Sequence, residues 1–213
     1  MAQTNEEKHQ ETYAAAEEAL RSMDPAEVAG RAGVRWQPDG EADGGVTGRL
    51  HFSALGVAVS LTWPALSFDA PLPLLNTYPW RLIALHYLSG ATGRPSGEDW
   101  ISYRELPDGL FYANTITREI EEPLATLYAH AADAFVAAGT PLAPDRAEVG
   151  DVSLVFRPLP RVPMLFALWA ADDEFPAKVK VMYDREGARN LPLQDLRILA
   201  DLLGAALKRP AEG

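Results

Sequence analysis

The sequence predicts an α+β fold, in which an antiparallel β-sheet built from hairpins packs against a buried central helix and flanking helices. Two patterns indicate this class: runs with strand-like alternation follow one another across turn residues, and helical patterns lie at the ends and in the middle of the chain. The strand–helix–strand rhythm of a parallel sheet is absent. Within the 213 residues we expect a helical N-terminal extension at 1–36 and a single α+β domain at 46–209.

The N-terminal region reads as helices that lead into a β-hairpin. Residues 4–22 are rich in Ala and Glu with apolar residues at helical spacing, and a second, shorter helix follows. The Gly- and Asp-rich stretch 37–45 is interpreted as a flexible connection. Alternation over 46–62 then predicts two strands joined at Leu55-Gly56.

A central helix is predicted over 79–90, within the stretch YPWRLIALHYLSG. Pro79 suits the first turn of a helix, and Gly90 suits its end. The stretch is apolar on nearly every side and is interrupted only by Arg81 and His86. This pattern is typical of a helix buried in the centre of a domain.

The second half of the chain contains further strands and helices. The runs DWISYREL and GLFYANTI are predicted as two strands of a hairpin through the turn sequence PDG, so that strands extend over 100–116. A helix with one apolar face follows and ends at Gly139. Three strand-like runs then fall within 152–183, and an amphipathic helix closes the chain.

Composition excludes several classes of function. The formal net charge of −11, without a block of Lys and Arg, disfavours nucleic-acid binding. The absence of cysteine excludes disulfides, thiolate zinc sites and a cysteine-held iron–sulfur cluster in this chain. No apolar run is long enough to span a membrane and the first residues lack a secretory pattern, so we expect a cytoplasmic protein that binds no membrane.

Three consecutive acids, Asp172, Asp173 and Glu174, stand between two apolar runs and are called the acidic triplet below. One interpretation is a hairpin turn with solvated carboxylates, because Asp side chains bond to nearby backbone N–H groups. The other is a site for a hard cation or a general base. The sequence does not decide between these two interpretations. In either case we expect one of these acids to pair with Arg104 or Arg161.

The run WISYREL is a second candidate. As a strand it places Trp100, Ser102 and Arg104 on one face and Glu105 on the other. An indole, a hydroxyl and a guanidinium in a row suit a planar ligand that carries a carboxylate. The alternative is an edge strand in which Arg104 serves only to pair with an acid.

His86 is the histidine within the apolar central helix. A histidine there is satisfied by one hydrogen bond in many cores, or acts as a cation near a helix C-terminus. The alternatives are an axial ligand to a metal centre or a general base.

Several motifs together resemble a family catalogued as a domain of unknown function, which occurs mostly in anaerobic bacteria and archaea. HYL, WISYREL, PRVP and DDEFPA follow one another in this order, and the resemblance covers most of 46–203. Some members are fused to a small four-cysteine iron–sulfur domain like that of corrinoid iron–sulfur proteins. The resemblance therefore implies anaerobic redox or one-carbon metabolism and a tetrapyrrole-type ligand, haem or corrinoid. Since this chain has no cysteine, a cluster-bearing protein would have to act in trans.

Three hypotheses follow. The leading one is an accessory protein that encloses a planar anionic small molecule between the WISYREL strand and the 162–183 hairpin, where Trp100 and Trp169 stack on it. Ser102 and Arg104 complete this binding set, with Arg104 on a carboxylate, and His86 is the axial metal ligand. The second is an enzyme that uses Glu105 with Asp173 or Glu174 as an acid–base pair on a small substrate. The third is a structural interaction module.

Overall fold

The computed structural model describes residues 4–42 and 45–209 and confirms the α+β class. Its strands form two antiparallel sheets, in the orders β1-β2-β3-β4 and β5-β8-β7-β6. The strands are β1 (Arg35–Ala42), β2 (Gly45–Ala54), β3 (Val57–Trp63), β4 (Phe68–Asp69), β5 (Trp100–Ser102), β6 (Val152–Phe156), β7 (Met164–Trp169) and β8 (Lys178–Asp184). The helices are α1 (Asn5–Arg21), α2 (Pro25–Ala32), α3 (Tyr78–Gly90), α4 (Ala113–Ile116), α5 (Glu122–Leu127), α6 (Ala132–Gly139) and α7 (Leu193–Leu207).

The first sheet contains the predicted hairpin and one strand that was not predicted. β2 and β3 pair across Leu55 and Gly56, which both have positive φ. The prediction of a flexible connection over 37–45 was wrong for the part that the structure describes, because β1 pairs with β2 along its length. Residues 43 and 44 lie outside the described residues. β1 is an edge strand with an irregularity between Pro38 and Gly40, and an edge is where a sheet accepts proline.

The second sheet contains the three strands predicted within 152–183. β7 is central and pairs with both β6 and β8, and the short β5 lies beyond β8. Residues of one face, among them Phe156, Phe166 and Val181, enter the main core. The opposite face carries a smaller cluster of Val155, Leu165 and Ala167.

The hairpin predicted over 100–116 was wrong after Ser102. Tyr103–Glu105 and Gly109–Phe111 are 3₁₀ turns, and α4 follows directly. The cause is local: the Glu105 carboxylate accepts hydrogen bonds from the backbone N–H of Ser102 (2.9 Å) and from its hydroxyl (2.7 Å). This capping box starts a helical turn where a strand would have continued.

Helix α3 lies at the centre of the core that both sheets share, as the sequence predicts. Trp80, Ile83, Leu85 and Leu88 are fully buried or nearly so. The helix also buries the hydroxyl of Tyr87, which donates to the Ala32 carbonyl and accepts from the Arg161 backbone N–H. Burial raises the pKa of Tyr87, so the neutral hydroxyl acts as a fixed link between α2, α3 and the segment before β7.

Among residues 4–42 and 45–209, no helix is both long enough and apolar enough to cross a bilayer.

The substitution Gly48→Ala tests whether β1 is an ordered strand. The added carbon would lie 2.3 Å from the Gln37 carbonyl oxygen and 2.9 Å from the Pro38 Cα, so the β1 backbone must move. We expect the free energy of unfolding to fall by about 1–3 kcal/mol. Hydrogen-exchange protection of 35–42 should fall with it.

Gly45→Ala is the matched control on the same strand, since no described residue other than its chain neighbours lies within 4 Å of the added carbon. Its free energy of unfolding should change by no more than about 0.5 kcal/mol. Equal effects of the two substitutions would show that β1 does not pack as described.

Candidate functional site

The segment 91–99 is irregular, yet it is held in place by the buried carboxylate of Asp184 at the end of β8. Asp184 Oδ2 accepts the N–H groups of Gly97 (3.1 Å) and Asp99 (3.2 Å), and Oδ1 accepts the N–H of Gly187 (2.5 Å). Asp184 has no exposed surface. One carboxylate therefore joins the segment before β5 to the turn after β8.

Asn190 fastens the other end of the same segment. Its Oδ1 accepts from the N–H (3.1 Å) and the hydroxyl (3.0 Å) of Thr92, and its Nδ2 donates to the carbonyls of Arg94 and Gly187. The side chain is almost fully buried. All of its hydrogen-bonding capacity is used inside the chain, so Asn190 has a structural role.

Two adjoining clefts lie beside the 3₁₀ turn Gly187–Asn190, and we call them together the Arg189 groove. One cleft, of about 380 Å³, lies between this turn, the 105–108 turn and the start of α7. The other, of about 450 Å³, is bounded by the last turn of α3 and by 189–192. Arg189 and Leu191 line both clefts, so the clefts adjoin at these two residues.

His86 and Asp195 form a pair at one end of the Arg189 groove. His86 Nδ1 lies 2.8 Å from Asp195 Oδ2 and joins α3 to the first turn of α7. The Asp195 side chain is 8% exposed and that of His86 is 31% exposed. Because an ionised carboxylate only accepts, the proton of the neutral ring is on Nδ1. The ring of His86 makes no other hydrogen bond in the described ranges, so the lone pair of Nε2 is then available to a ligand.

The charged groups around the groove differ in how far they are neutralised. Arg185 pairs with Asp99 at 2.6 Å, and this contact raises the pKa of the guanidinium. The hydrogen bonds from Ser102 lower the pKa of Glu105, so that this carboxylate is committed to its capping box. Arg189 reaches Glu186 only at 3.9 Å and is half exposed, which leaves it the most available cation of the groove.

The structure distributes the site residues predicted from the sequence over separate places. β5 is hydrogen-bonded directly to β8, so within the described residues no cleft separates Trp100 and Ser102 from that strand. Beyond Ser102, WISYREL shares one small cavity with Lys180 of the 162–183 hairpin. Trp100 and Trp169 both pack against the small cluster on the outer face of the second sheet, and Trp169 also borders a cleft with Phe175. Ser102 and Arg104 line a third, smaller cavity. His86 shares a cleft with none of these residues.

Sequence reasoning missed the residues that complete these sites, namely Asp184, Arg189, Asn190, Asp195, Glu121 and Lys180. Their partners lie far away in the chain, as with His86 and Asp195, which are 109 positions apart. One signal was visible: Ser102 and Glu105 have the S-x-x-E spacing of a capping box, which indicates a helical turn. In the described ranges, no group of three or more His, Asp or Glu side chains is placed to hold a metal ion by itself.

A comparison with family models identifies the group to which these motifs belong. The model described as "Domain of unknown function (DUF3786)" matches residues 24–205. The chain belongs to this family. The resemblance carried by HYL, WISYREL, PRVP and DDEFPA is thereby confirmed, and the family match extends from α2 to α7. The comparisons with curated proteins and with solved structures gave no match.

The acidic triplet of this family member forms a turn. Asp172 Oδ1 accepts the backbone N–H groups of Glu174 (2.8 Å) and Phe175 (2.7 Å), and these bonds lower the pKa of the carboxyl. The predicted ion pair of the triplet with Arg104 or Arg161 was wrong for the residues that the structure describes. Arg104 instead reaches the Asn114 side chain, and Arg161 donates to the carbonyls of Gly93 and Gly30.

Asp172→Ala and Asp173→Ala separate a turn from a site. Only Asp172 accepts the two backbone bonds, so Asp172→Ala should raise hydrogen exchange and proteolytic cleavage within 170–177, while Asp173→Ala should not. Since the pKa of Asp172 is lowered in the folded state, its contribution is present above the ordinary Asp range and is lost as the pH falls through the folded pKa. Acidification should therefore loosen the wild-type loop. Identical behaviour of both variants would contradict the turn.

Proposed function

We propose that this protein is a cytoplasmic accessory protein that binds a planar, anionic, metal-containing small molecule of the tetrapyrrole class, haem or corrinoid, in the Arg189 groove. The observation that carries the proposal is the contact between His86 Nδ1 and the nearly buried Asp195 carboxylate, at 2.8 Å. It leaves one imidazole nitrogen, already oriented, at the surface of a concave site.

The arrangement of His86 is the one that metal-binding histidines use. Such histidines donate their second ring N–H to a carboxylate or carbonyl, which sets the tautomer and raises the basicity of the ligating nitrogen. Here Asp195 supplies that carboxylate, and Nε2 is the nitrogen left for a metal. The chain holds one such nitrogen in the groove, which suits the axial position of a metal whose remaining ligands belong to the bound molecule itself.

The walls of the groove suit the rest of such a molecule. Ile101, Leu106 and Leu196 give the first cleft, which adjoins the cleft lined by His86, an apolar surface on which part of a flat ring system can lie. Arg189 lies where the two clefts join, and its guanidinium can pair with a carboxylate at the edge of the ring. The bound metal would supply electron-transfer or group-transfer chemistry, while His86 and Arg189 position it.

This arrangement replaces the one inferred from the sequence. Trp100 and Trp169 do not fit as stacking walls, because neither borders the groove that contains His86. Arg104 likewise lies in another cavity, so Arg189 takes the role that was assigned to it. The link to anaerobic redox or one-carbon metabolism, with an iron–sulfur protein acting in trans, is supported by the family resemblance and is proposed on that basis.

A second candidate function rests on the same pair. An imidazole held by a buried carboxylate is also the arrangement of a general base, with His86 Nε2 as the group that accepts a proton. The acid–base pair inferred from the sequence, Glu105 with Asp173 or Glu174, is less favourable, since Glu105 lines the first cleft of the groove and neither of the two acids borders that cleft. An enzyme of this kind would act on a small anionic substrate beside Arg189.

Titration with haem and with a corrinoid, followed by absorption spectroscopy, tests the proposal. We expect saturable binding with a spectrum typical of nitrogen ligation. His86→Ala should change that spectrum, because the axial nitrogen is removed. Asp195→Asn should retain the spectral type and weaken binding by about 10- to 100-fold, since the residue only positions the ring. Arg189→Gln should weaken binding by roughly tenfold without moving the spectrum.

His130→Ala is the matched control, because His130 borders neither cleft of the groove. It should bind as the wild type does. Nonsaturable binding, or a spectrum indifferent to His86→Ala, would refute the axial role. Saturable binding of a metal-free carboxylated ring with unchanged affinity in His86→Ala would point to the general-base candidate.

A further inference from the structure

A small cavity of about 180 Å³ lies between the 3₁₀ turn Tyr103–Glu105, α4 and β8, apart from the Arg189 groove. The two share no lining residue. The last residue of β5, Ser102, pairs with Met182 of β8, and the cavity begins just beyond this pair. The backbone N–H of Val181, the next residue to be paired, therefore has no β5 partner. The carboxylate of Glu121 accepts this N–H at 3.1 Å.

Glu121 is the structural centre of the cavity. It is 5% exposed, and its second oxygen accepts from the Thr117 hydroxyl (2.8 Å) and from Lys180 Nζ (2.6 Å). Thr117 and Glu121 are the first and last residues of a π-helical turn. From this turn the Glu121 side chain reaches β8 and also the Thr117 hydroxyl. A π turn within an α-helix is rare and is found frequently at functional sites. With three donors, Glu121 has little capacity left for a ligand.

Two cations of the cavity keep unused donors. Lys180 Nζ gives one hydrogen bond to Glu121, its side chain is 34% exposed, and two of its N–H groups are free to donate elsewhere. Arg104 makes a single long contact, 3.5 Å, to the Asn114 side chain. Two cations, Arg104 and Lys180, and one already satisfied carboxylate, Glu121, line the cavity, so its lining carries a formal charge of +1 in a chain whose net charge is −11.

The remaining wall is apolar and decides what kind of anion fits. Tyr103, Ala113 and Ile116 border the same cavity as the cations. An inorganic anion such as phosphate would contact the cations but leave the apolar wall without a partner. A carboxylate with a short hydrocarbon part would contact both the cations and the apolar wall. The planar fork of an arginine also matches a carboxylate in a bidentate manner.

We infer that this cavity binds a short-chain carboxylate between Arg104 and Lys180, with its hydrocarbon part on the Tyr103–Ile116 side. The site is independent of the proposed groove, since it uses neither His86 nor Arg189. Glu121 and Thr117 act as positioning residues that hold Lys180, and Asn114 orients Arg104.

Titration of the full chain with acetate, propionate and butyrate at constant ionic strength, followed by amide NMR shifts, tests the inference. We expect saturable shifts confined to 102–104, 113–121 and 180–181, with affinity rising from acetate to butyrate. Arg104→Gln should reduce the affinity about tenfold or more. Lys180→Gln gives a second test should Arg104→Gln lower stability.

Arg118→Gln is the matched control, because Arg118 is on the same π turn but pairs with Glu119 at the surface and does not line the cavity. Its affinity should equal that of the wild type. Shifts that do not saturate, or that Arg104→Gln leaves unchanged, would overturn the site. Phosphate that binds as tightly as butyrate would overturn the carboxylate class, and His86→Ala should alter none of these titrations.

Discussion

The hydrogen bonds of the Asp184 carboxylate are the interaction on which the geometry of the Arg189 groove and the position of β5 beside the small cavity depend. Removing an ionised carboxylate from water costs several kcal/mol in order-of-magnitude terms, and three backbone N–H donors, from Gly97, Asp99 and Gly187, offset that cost. The close approach demands glycine at 187, because a Cβ there would lie 2.6 Å from the Arg161 carbonyl and 2.9 Å from Asp184 itself. The carboxylate thereby determines where β5 begins and where the Gly187–Asn190 turn lies.

The Asp184 and Asn190 contacts also explain how a histidine on α3 meets an aspartate on α7. Asn190 ties the Gly187–Asn190 turn to Thr92, immediately after α3, and α7 starts a few residues later. Helix α3 is itself held by Trp80, which donates to the Pro158 carbonyl, and by the buried Tyr87 hydroxyl. With both helices fixed, the 2.8 Å contact between His86 and Asp195 orients the imidazole without any further ligand.

The sequence predicts the elements that depend on local periodicity. It does not predict those whose structure depends on pairing with another strand or on a specific side-chain hydrogen bond. Helix α3 and the β2–β3 hairpin follow from spacing and turn residues alone, and both are present. β1 contains Pro38 and Gly40, which indicate a break, but pairing with β2 makes it an edge strand. The run 100–105 alternates like a strand, yet the Ser102–Glu105 bonds stop the strand after three residues. His86 and Arg104, which stand out in the sequence, line the two proposed sites. The sequence does not reveal their partners, and in the case of His86 the partner Asp195 lies 109 positions away.

Unused hydrogen-bonding capacity separates residues that hold the fold from residues that are available to a ligand. Asp184, Asn190, Glu121 and Asp172 carry polar groups whose bonding is committed within the chain. His86 Nε2 and the guanidinium groups of Arg189 and Arg104 lie at concave surfaces with that capacity still open. A stability requirement accounts for the first set but not for the open donors of Arg189 and Arg104, because exposed cations with weak partners contribute roughly 0–1 kcal/mol to folding. The second set is therefore the one on which the proposed binding sites rest. The acidic triplet, which is the most conspicuous charge pattern in the sequence, belongs with the first through Asp172.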